Sequence, residues 1–407
     1  MRILLATYWG FPSLGGLEKY MNQLKRGLEG RGHEVEFFAK APDDSGFHMP
    51  NMGLYISKSS LMPLISAKAN TYFARHLPGI DATVRNMEID RYCFEAAAAF
   101  FNLANYDIVH TQDVISARAF SRLAPPHAKR ISTIHGCLST ENLARLQADG
   151  LLDENYASTP LWQYYLFIEH LGIMGNHATI MPTDWLKQIM VRNFNVPHDR
   201  MTIVPNAMDM EEYLGRLNVS ADLPSPEGKQ ILLCCARFDP VKGHDVLLKA
   251  LRRLKNVRTD WVCWLAGDGQ LDTHLRMKTF EYELQNDVLF LGRRDDVPSL
   301  LKKADIFVLP SLQDNHPYSI MEAHAAGKPV IVSNAGGIPE MVKDGETGLI
   351  FNSGDDQQLC NKLVEVLGNE ALRTRLGEQA KASGLRHWSL HAMTERVVAV
   401  YDRVLHQ

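Results

Sequence analysis

Strand-like apolar runs alternate with helical patterns along nearly the whole chain, and this alternation constrains the fold more than any other feature. The runs are apolar on both faces, as expected of parallel strands that helices cover on both sides. They form two successive series of about 200 and 180 residues, which predicts an α/β protein with two doubly wound domains. The predicted strands are Arg2–Thr7, Glu34–Ala39, Asp107–Thr111, Arg130–His135, Ala178–Pro182, Met201–Val204, Gln230–Ala236, Trp261–Ala266, Val288–Leu291, Asp305–Pro310, Pro329–Ser333 and Gly348–Asn352.

A change in composition marks the domain boundary. Two prolines, a serine and a glycine fall within 224–228, which is the composition of a linker. The length of 407 residues suits two domains. We therefore predict an N-terminal Rossmann-like domain at 1–206, a linker at 207–229, a C-terminal Rossmann-like domain at 230–386 and a last helix at 387–407.

Charge and cysteine usage exclude several classes of protein. Lys and Arg number 43 against 47 Asp and Glu, so no nucleic-acid partner is predicted. None of the six cysteines forms a C-x-x-C pair, and most lie in apolar runs. This predicts reduced core thiols in a cytoplasmic protein and argues against a zinc site or disulfides. No segment approaches the ~18 apolar residues that span a bilayer, and Met1–Thr7 is predicted to be a strand and not a signal segment.

The segment 45–80 is the hardest to interpret. It contains no Asp or Glu, but it carries Lys58, Lys68 and Arg75 among Leu, Met, Tyr and Phe. Basic and apolar residues together suit an interface. Two interpretations stay open at this point, an elaborated surface insertion and a surface that binds an acceptor or touches a membrane.

Ligands of open α/β sheets bind beyond the carboxyl ends of the strands, so the residues that follow each strand are the first candidates. Gly15 and Gly16 follow the first strand and open a helix, where backbone N–H groups can approach an anion or simply form a turn. They do not form a G-x-G-x-x-G motif, so a dinucleotide fold is not supported.

Arg237 and Lys242 follow the strand Gln230–Ala236. The guanidinium of Arg237 can make two parallel hydrogen bonds and Lys242 adds a compact positive charge, which together suit the binding of a diphosphate. The alternative interpretation is that both side chains belong to a solvated loop.

The densest cluster of polar residues follows the strand Asp305–Pro310. Asp314 precedes a helix that we expect to begin near Tyr318, so its carboxylate could be a helix cap or part of a binding site. Glu322 falls within the first turns of that helix, before an Ala-His-Ala-Ala-Gly stretch that is typical of a buried segment. Because a buried Glu is rare unless it is paired, a role in accepting hydrogen bonds from sugar hydroxyls is attractive.

Asp314-x7-Glu322, followed by Ala323-His-Ala-Ala-Gly327-Lys-Pro329, resembles the Glu-x7-Glu signature of the retaining, family-4-type glycosyltransferases with the GT-B fold. Each further match is weak alone, but together and in order they are specific and cover nearly the whole chain. They are Gly15-Gly16 with Glu18, Gly32-His33-Glu-Val35, Asp107-Ile-Val-His110, Thr133-Ile-His135-Gly136, Val204-Pro205-Asn206, Arg237 with Lys242-Gly243, Gly267-Asp-Gly269, Leu291-Gly292, Gly336-Gly337-Ile-Pro339-Glu340 and Gly345-x-Thr347-Gly348.

The resemblance implies two Rossmann-like domains that face a central cleft, with the nucleotide-sugar donor held mainly by the second and the last helix crossing back to the first. It assigns the donor diphosphate to Arg237 and Lys242, the ribose hydroxyls to Glu322, the transferred sugar to Asp314 and the residues after it, and a contact near the reacting centre to His135. The implied catalytic residues are therefore His135, Arg237, Lys242 and Asp314, and the implied substrate-binding residues are Gly15, Gly16, Asn206, Gly292, Arg293, Asn315, His316, Ser319, Ile320 and Glu322.

The chain departs from the family pattern around the sugar. Asp314 stands where the family carries Glu, and Asn315-His316-Pro317 follows where Gly-Phe-Gly or Gly-Phe-Pro is frequent. These departures leave the phosphate and ribose positions intact. The identity of the transferred sugar is therefore the part of the resemblance that they affect most.

The activity implied is retaining transfer of a hexose-type sugar from a nucleotide diphosphate sugar to an acceptor hydroxyl, in surface polysaccharide, glycolipid or glycoconjugate biosynthesis. No metal and no resident cofactor are expected, since protein cations would stabilise the leaving group, and a UDP-sugar is favoured over a GDP-sugar. The acceptor would be a saccharide, a lipid-linked or a small molecule, with peripheral contact at the inner face of the plasma membrane through 45–80. A nucleotide-sugar epimerase on the same fold and a catalytically weak nucleotide-sugar-binding subunit are the alternatives.

Overall fold

The computed structural model describes residues 1–12, 15–148, 155–217, 223 and 226–406. The chain divides into two compact units. The first comprises Met1–Leu143, Gly150–Pro205 and Leu390–Gln407, and the second comprises Ala144–Asp149 and Asn206–Ser389. Each contains one sheet covered by helices, so the predicted α/β class with two doubly wound units is confirmed.

The first unit is built on an eight-stranded sheet of order β4-β3-β2-β1-β5-β6-β7-β8. All the strands predicted for the first half of the chain are present. Its elements are β1 (Arg2–Gly10), α1 (Gly16–Glu29), β2 (Glu34–Lys40), β3 (Gly46–Met49), β4 (Leu54–Ser57), α2 (Lys58–His76), α3 (Ala82–Phe100), β5 (Ile108–Thr111), α4 (Val114–Leu123), β6 (Lys129–Thr133), α5 (Leu138–Ala148), α6 (Pro160–Met174), β7 (Ala178–Met181), α7 (Asp184–Phe194) and β8 (Met201–Ile203).

The segment 45–80, which the sequence left open, adds an edge to this sheet. β3 pairs antiparallel with β2 and with β4, whereas the other strand pairs of the sheet are parallel. α2 follows directly, with Ser57 accepting a hydrogen bond from the backbone N–H of Ser59 at the helix start. Lys58 makes ion pairs with Asp44 and Asp90, at 2.8 and 2.5 Å. The segment is therefore ordered by backbone pairing and by ion pairs with its neighbours.

The second unit is built on a six-stranded parallel sheet of order β11-β10-β9-β12-β13-β14. All the strands predicted for the second half are present. Its elements are α8 (Met210–Arg216), β9 (Gln230–Cys235), α9 (His244–Lys255), β10 (Trp261–Ala266), α10 (Asp272–Glu281), β11 (Val288–Gly292), α11 (Val297–Lys303), β12 (Ile306–Leu309), α12 (Tyr318–Ala325), β13 (Val330–Ser333), β14 (Leu349–Phe351), α13 (Asp356–Leu367) and α14 (Glu370–His387).

The chain passes from the first unit to the second after Pro205 and returns to the first after Ser389. Within the predicted linker 207–229, α8 packs on the second unit, where the Tyr213 hydroxyl donates to the Glu322 carbonyl oxygen at 2.9 Å. Residues 218–222 and 224–225 of that linker lie outside the described residues. The last helix, α15 (Leu390–Leu405), belongs to the first unit, where Arg403 donates to the Thr202 hydroxyl at 3.0 Å.

The first strand of each unit lies at the centre of its sheet, with the next strands added on opposite sides. In the first unit Leu5 of β1 is opposite Phe37 of β2 on one side and His110 of β5 on the other. In the second, Leu233 of β9 is opposite Trp264 of β10 and Phe307 of β12. The order of the strands reverses at this point, and ligands of open α/β sheets bind there, beyond the carboxyl ends of the strands.

The cores follow the sequence pattern. The central strands are buried on both faces, and α9 buries one apolar face against the second sheet while its exposed face carries Lys249, Arg252 and Arg253. All six cysteines are buried free thiols, as predicted. Among the described residues, no helix combines the length and the hydrophobicity needed to cross a membrane.

Candidate functional site

The loops after β9 and β12 lie against each other at the carboxyl end of the second sheet. The backbone N–H groups of Leu312 and Gln313 both donate to the carbonyl oxygen of Val241, at 2.8 and 3.1 Å. Gly243 has a φ of 68°, and a Cβ there would lie 2.0 Å from the carbonyl oxygen of Pro310. A residue without a side chain is therefore required at Gly243 for the two loops to meet.

This contact brings together Lys242 and Asp314, which are far apart in sequence. The Lys242 ammonium lies 2.6 Å from a carboxylate oxygen of Asp314, and the two side chains are only 18% and 11% exposed. The same carboxylate accepts hydrogen bonds from the Ser311 hydroxyl and the Asn315 backbone N–H, both at 3.1 Å. Three donors therefore fix the position of the Asp314 carboxylate at this site.

The alternative of Asp314 as a helix cap is wrong. α12 begins at Tyr318, as predicted, but its N-cap is Pro317, which offers no side-chain cap. The backbone of Asp314 is instead held by Gly337, whose N–H donates to the Asp314 carbonyl oxygen at 3.0 Å. A Cβ at Gly336 would lie 1.8 Å from that oxygen, so the Gly-Gly pair allows the close approach.

Arg237 differs from Lys242 in its surroundings. It follows β9, and its side chain is exposed. Within the described part of the chain that side chain makes no hydrogen bond or ion pair, although the backbone carbonyl oxygen accepts from the N–H of Asp239 at 2.8 Å. Both cations therefore follow the same strand, but Lys242 is paired with Asp314 and the Arg237 side chain is unpaired. Such an arrangement can bind an anion between the fixed ammonium of Lys242 and the mobile guanidinium of Arg237.

The predicted residues on and before α12 are mostly buried. Glu322 is 8% exposed, as its sequence context predicted. The side chain of Ile320 lies in the core, which leaves only its backbone for a ligand, whereas Ser319 is half-buried. Asn315 is also buried. α12 thus carries a buried carboxylate in its second turn, four residues after its start at Tyr318.

His316 is held as a neutral ring. Burial lowers its pKa to about 4, and the imidazole makes an edge contact with Trp388 at 6.5 Å between ring centroids. Asn206 donates from its side-chain amide to the carbonyl oxygen of His316 at 3.2 Å. Asn206 is thus placed to support the loop that carries His316, whether or not it contacts a ligand.

Gly292 and Arg293 lie at the carboxyl end of the edge strand β11. Gly292 has a φ of 64°, and its carbonyl oxygen accepts from the N–H of Gly267 at 2.9 Å. Arg293 is exposed. The structure therefore places this pair on the same edge of the second sheet as Lys242 and Asp314, separated by the loop after β10.

The predicted site residues of the first unit also follow strands. Gly15 is the N-cap of α1, with Gly16 as the first helical residue, and both are exposed. His135 follows β6, where its ring packs against Tyr20 at 4.4 Å between centroids. Burial of the ring lowers the pKa of His135 to about 3, so the imidazole is neutral at physiological pH.

His110 is a structural residue of the first unit. Its Nδ1 lies 2.7 Å from the Tyr401 hydroxyl on α15, and its Nε2 lies 2.7 Å from the Thr133 hydroxyl. The Tyr20 hydroxyl is 3.2 Å from the same Thr133 oxygen. This fully buried network joins α15 to β5, β6 and α1 beneath His135.

Sequence reasoning missed two polar residues next to the predicted ones. Ser311 donates to Asp314, and the side chain of Gln112 contacts His135 with a distance of 3.2 Å from Oε1 to Nε2. Both come directly after strands that were predicted, so the strand-end rule could have found them. Among the described residues, no cluster of three or more His, Cys, Asp or Glu side chains could hold a metal ion.

Two family models match the chain, one for each half. The model described as Glycosyltransferase Family 4 matches residues 14–212, and the model described as Glycosyl transferases group 1 matches residues 216–383. A relative from Escherichia coli, UDP-Gal:alpha-D-GlcNAc-diphosphoundecaprenol alpha-1,3-galactosyltransferase, is 30% identical over 278 residues, which cover 66% of this chain and 68% of the relative. The chain belongs to the family-4 glycosyltransferases.

Solved structures of glycosyltransferases show the same fold. Sucrose-phosphate synthase from Thermosynechococcus elongatus superposes with a TM-score of 0.72 at 19% identity, covering 100% of this chain and 99% of that chain. Anabaena HepE in complex with UDP-glucose gives a TM-score of 0.67 at 17% identity, covering 99% and 100%. This glycosyltransferase therefore has the two-domain GT-B fold that its motifs predicted.

Proposed function

We propose that this glycosyltransferase moves a hexose-type sugar from a UDP-sugar to an acceptor hydroxyl with retention of anomeric configuration and without a metal ion. One observation carries the proposal: the loops after two neighbouring strands bring Lys242 into contact with Asp314, beside an unpaired Arg237. This contact supports the proposal, because a nucleotide sugar carries a diphosphate that cations can bind and, next to it, a sugar whose hydroxyls can donate to a carboxylate.

Arg237 and Lys242 would bind the donor diphosphate. Negative charge develops on the β-phosphate as the bond to the sugar breaks, and preorganised cations stabilise that charge without reorganisation. Lys242 is held in place by Asp314, while Arg237 is free to close on the ligand with a bidentate contact. These two cations would do the work that a divalent metal does in other transferases.

The remaining groups would bind the rest of the donor. Glu322 would accept hydrogen bonds from the ribose hydroxyls, and the Gly292–Arg293 loop would lie by the base. The transferred sugar would contact Asp314 and the residues that follow it. Gly15, Gly16 and His135 would contribute from the first unit near the reacting carbon. The sugar-contacting set proposed for the second unit is Asp314, Asn315, His316, Ser319 and Ile320, with Asn206 supporting the loop.

Retention would proceed by attack of the acceptor hydroxyl on the face from which the diphosphate leaves. The bond from the anomeric carbon to the phosphate oxygen breaks, the bond to the acceptor oxygen forms, and the acceptor proton goes to the departing phosphate oxygen. His135 is neutral, which suits a hydrogen-bonding role at the sugar and not that of a charged acid. Exclusion of water would limit hydrolysis of the donor.

The acceptor surface would include the segment 45–80. α2 exposes Leu64 and Tyr72, which are 60% and 55% accessible, and Lys68 and Arg75 are exposed beside them. A cavity of about 590 Å³ between α2 and α3 has a mixed lining of apolar side chains and of four polar ones, Ser66, Asn70, Arg85 and Asn86. These features support a lipid-linked or amphiphilic acceptor used by a cytoplasmic enzyme at the inner face of the membrane, and the E. coli relative's name specifies a diphosphoundecaprenol acceptor.

The decisive experiment is a panel of nucleoside diphosphates and their sugars. Thermal shifts identify the ligand, because a ligand at 100 times its Kd stabilises by ~2.7 kcal/mol. With the best donor, release of UDP on addition of polyprenyl-diphosphate saccharides or free saccharides, with the product anomer matching the donor, is expected. Inversion at C2 of the donor sugar without an acceptor would identify an epimerase, and binding without turnover would identify a binding subunit.

A further inference from the structure

His135 is fixed by a neighbour that the family motifs do not include. Gln112 follows β5 and is 1% exposed. Its side-chain oxygen Oε1 lies 3.2 Å from Nε2 of His135. The backbone N–H of Gln112 donates to the carbonyl oxygen of Ala6 at 2.8 Å, so the residue is anchored to the central strand β1.

The orientation of the Gln112 amide follows from its second contact. Its Nε2 donates to the carbonyl oxygen of His110 at 3.2 Å. A carbonyl oxygen only accepts hydrogen bonds, so the amide nitrogen must face His110 and Oε1 must face His135. Because Oε1 is also only an acceptor, the Nε2 atom of His135 must carry the proton of the neutral ring. Nδ1 of His135 is then the nitrogen that accepts hydrogen bonds.

We propose that Gln112 is a positioning residue for catalysis, which holds His135 as the neutral Nε2–H tautomer in one ring orientation. The proposal rests on the role of His135 at the donor sugar that is proposed above. Tautomer control matters because the two neutral forms of imidazole present opposite donor and acceptor patterns. Only the form with the proton on Nε2 fits the acceptor atom that Gln112 presents.

The surroundings of His135 favour a neutral ring. Titratable groups on the elements near it include Tyr20 on α1, His110 on β5, Glu141 on α5 and Tyr401 on α15. Asp113, at the start of α4, and Glu169, on α6, lie further along the same edge and accept hydrogen bonds from the backbone N–H groups of Ser116 and Ser139. Burial raises the pKa of both tyrosines and lowers the pKa of His110 to about 3, so these three are uncharged near pH 7. Glu141 lies against Gly136, the residue after His135.

Three variants test the proposal. Gln112→Met removes the acceptor without adding charge. Gln112→Glu keeps an acceptor for Nε2–H and adds a negative charge, which raises a neighbouring histidine pKa by about 1–3 units. Thr111→Val is the matched control, because Thr111, the residue before Gln112, is equally buried and its hydroxyl donates to the Ile131 carbonyl oxygen and not to His135.

We expect Gln112→Met to lower kcat by roughly 10- to 100-fold, the usual effect of losing a supporting hydrogen bond, with the UDP Kd within about 2-fold of the wild type. Gln112→Glu should recover part of that loss at pH 8 and show an acid limb between about pH 4 and 6 that the wild type lacks. Thr111→Val should keep both the wild-type kcat and its pH profile. A wild-type kcat in Gln112→Met overturns the proposal, and so do equal losses with one pH profile in all three variants.

A readout that needs no turnover separates this proposal from the proposed function. In protein labelled with ¹⁵N-histidine, the His135 signals are assigned by their loss in His135→Asn. We expect a protonated Nε2 in the wild type and a mixture of tautomers in Gln112→Met. A protonated Nδ1 in the wild type overturns the positioning role. Failure of the wild type to transfer any sugar would instead refute the proposed function and leave the tautomer result standing.

Discussion

The ion pair between Lys242 and Asp314 leads to a prediction about the affinity of the protein for UDP. A phosphate in contact with the Lys242 ammonium would lie no more than about 5.5 Å from the Asp314 carboxylate, since each of the two contacts has hydrogen-bond length. Asp314 therefore offsets part of the attraction between Lys242 and the diphosphate. Replacing it with asparagine should strengthen UDP binding, even though the residue is needed for turnover.

The magnitude follows from Coulomb's law. Two unit charges about 5.5 Å apart repel by about 3 kcal/mol at an effective dielectric constant of 20 and by about 0.8 kcal/mol in water. The side chains are 18% and 11% exposed and the site opens to solvent, so we take about 1 kcal/mol. That corresponds to roughly 5-fold tighter binding of UDP by Asp314→Asn. Lys242→Met should weaken UDP binding. The factor should be larger when Asp314 is already asparagine, because Lys242 then no longer divides its contacts between the carboxylate and the phosphate.

Calorimetric titration of UDP into the wild type, both single variants and the double variant gives this coupling directly. The coupling should shrink between 50 and 300 mM salt, because screening weakens partly exposed pairs. Asp245→Asn is the control for net charge, since Asp245 pairs with His274 and not with Lys242. UDP binding that is 3-fold weaker in Asp314→Asn, or effects of the two substitutions that add independently, would refute the electrostatic argument.

Three further outcomes follow from the structure. EDTA should leave initial rates nearly unchanged, and strict dependence on added Mg²⁺ or Mn²⁺ would contradict the role given to the two cations. Charge reversal at Lys68 and Arg75 should raise the acceptor KM without altering UDP affinity, and Lys249→Glu on α9 is the control. Lys58 is not changed, because its ion pairs with Asp44 and Asp90 hold the segment 45–80 in place. Thermal stability should fall from pH 6.5 toward pH 4, because burial lowers the pKa of several histidines from 6.5 to about 3 to 4 and the folded protein therefore binds fewer protons than the unfolded chain. In the second unit these histidines are His244, His316 and His324. A flat profile of stability against pH would show that they titrate normally.

The sheets were predictable because their strands are buried on both faces. Such strands appear in the sequence as continuous apolar runs, and the carboxyl ends of those runs gave Arg237, Lys242, Asp314 and His135 as candidates. β3 and β4 were missed because each has only four residues, and β4 lies at the edge of the sheet. β4 is largely exposed, so it has no apolar run to reveal it.

Contacts between loops could not be predicted from the sequence. Lys242 and Asp314 are separated by 72 positions, and nothing in either motif shows that they touch. The contact depends on β9 and β12 being neighbours in the sheet and on Gly243 and Gly336 permitting close backbone approach. The amide of Gln112 is a similar case, because its orientation is set by a carbonyl oxygen on its own strand and is visible only with the partners in place.

The aspartate at position 314 leads to a prediction about donor choice. A glutamate would extend the carboxylate by ~1.5 Å, the length of one C–C bond. The backbone has little room to withdraw, because Gly337 holds the carbonyl oxygen of Asp314 and Gly336 packs against it. In Asp314→Glu the carboxylate should therefore leave some of its present donors and move toward the sugar. A site that hydrogen-bonds a substrate hydroxyl can lower kcat/KM for an analogue without that hydroxyl by up to ~10⁴–10⁵. In Asp314→Glu the ratio of kcat/KM between UDP-glucose and UDP-galactose should therefore change, while the Kd of UDP stays within about 3-fold of the wild type. An unchanged ratio would mean that the carboxylate does not reach the epimeric hydroxyl, and would leave the pairing with Lys242 as its function.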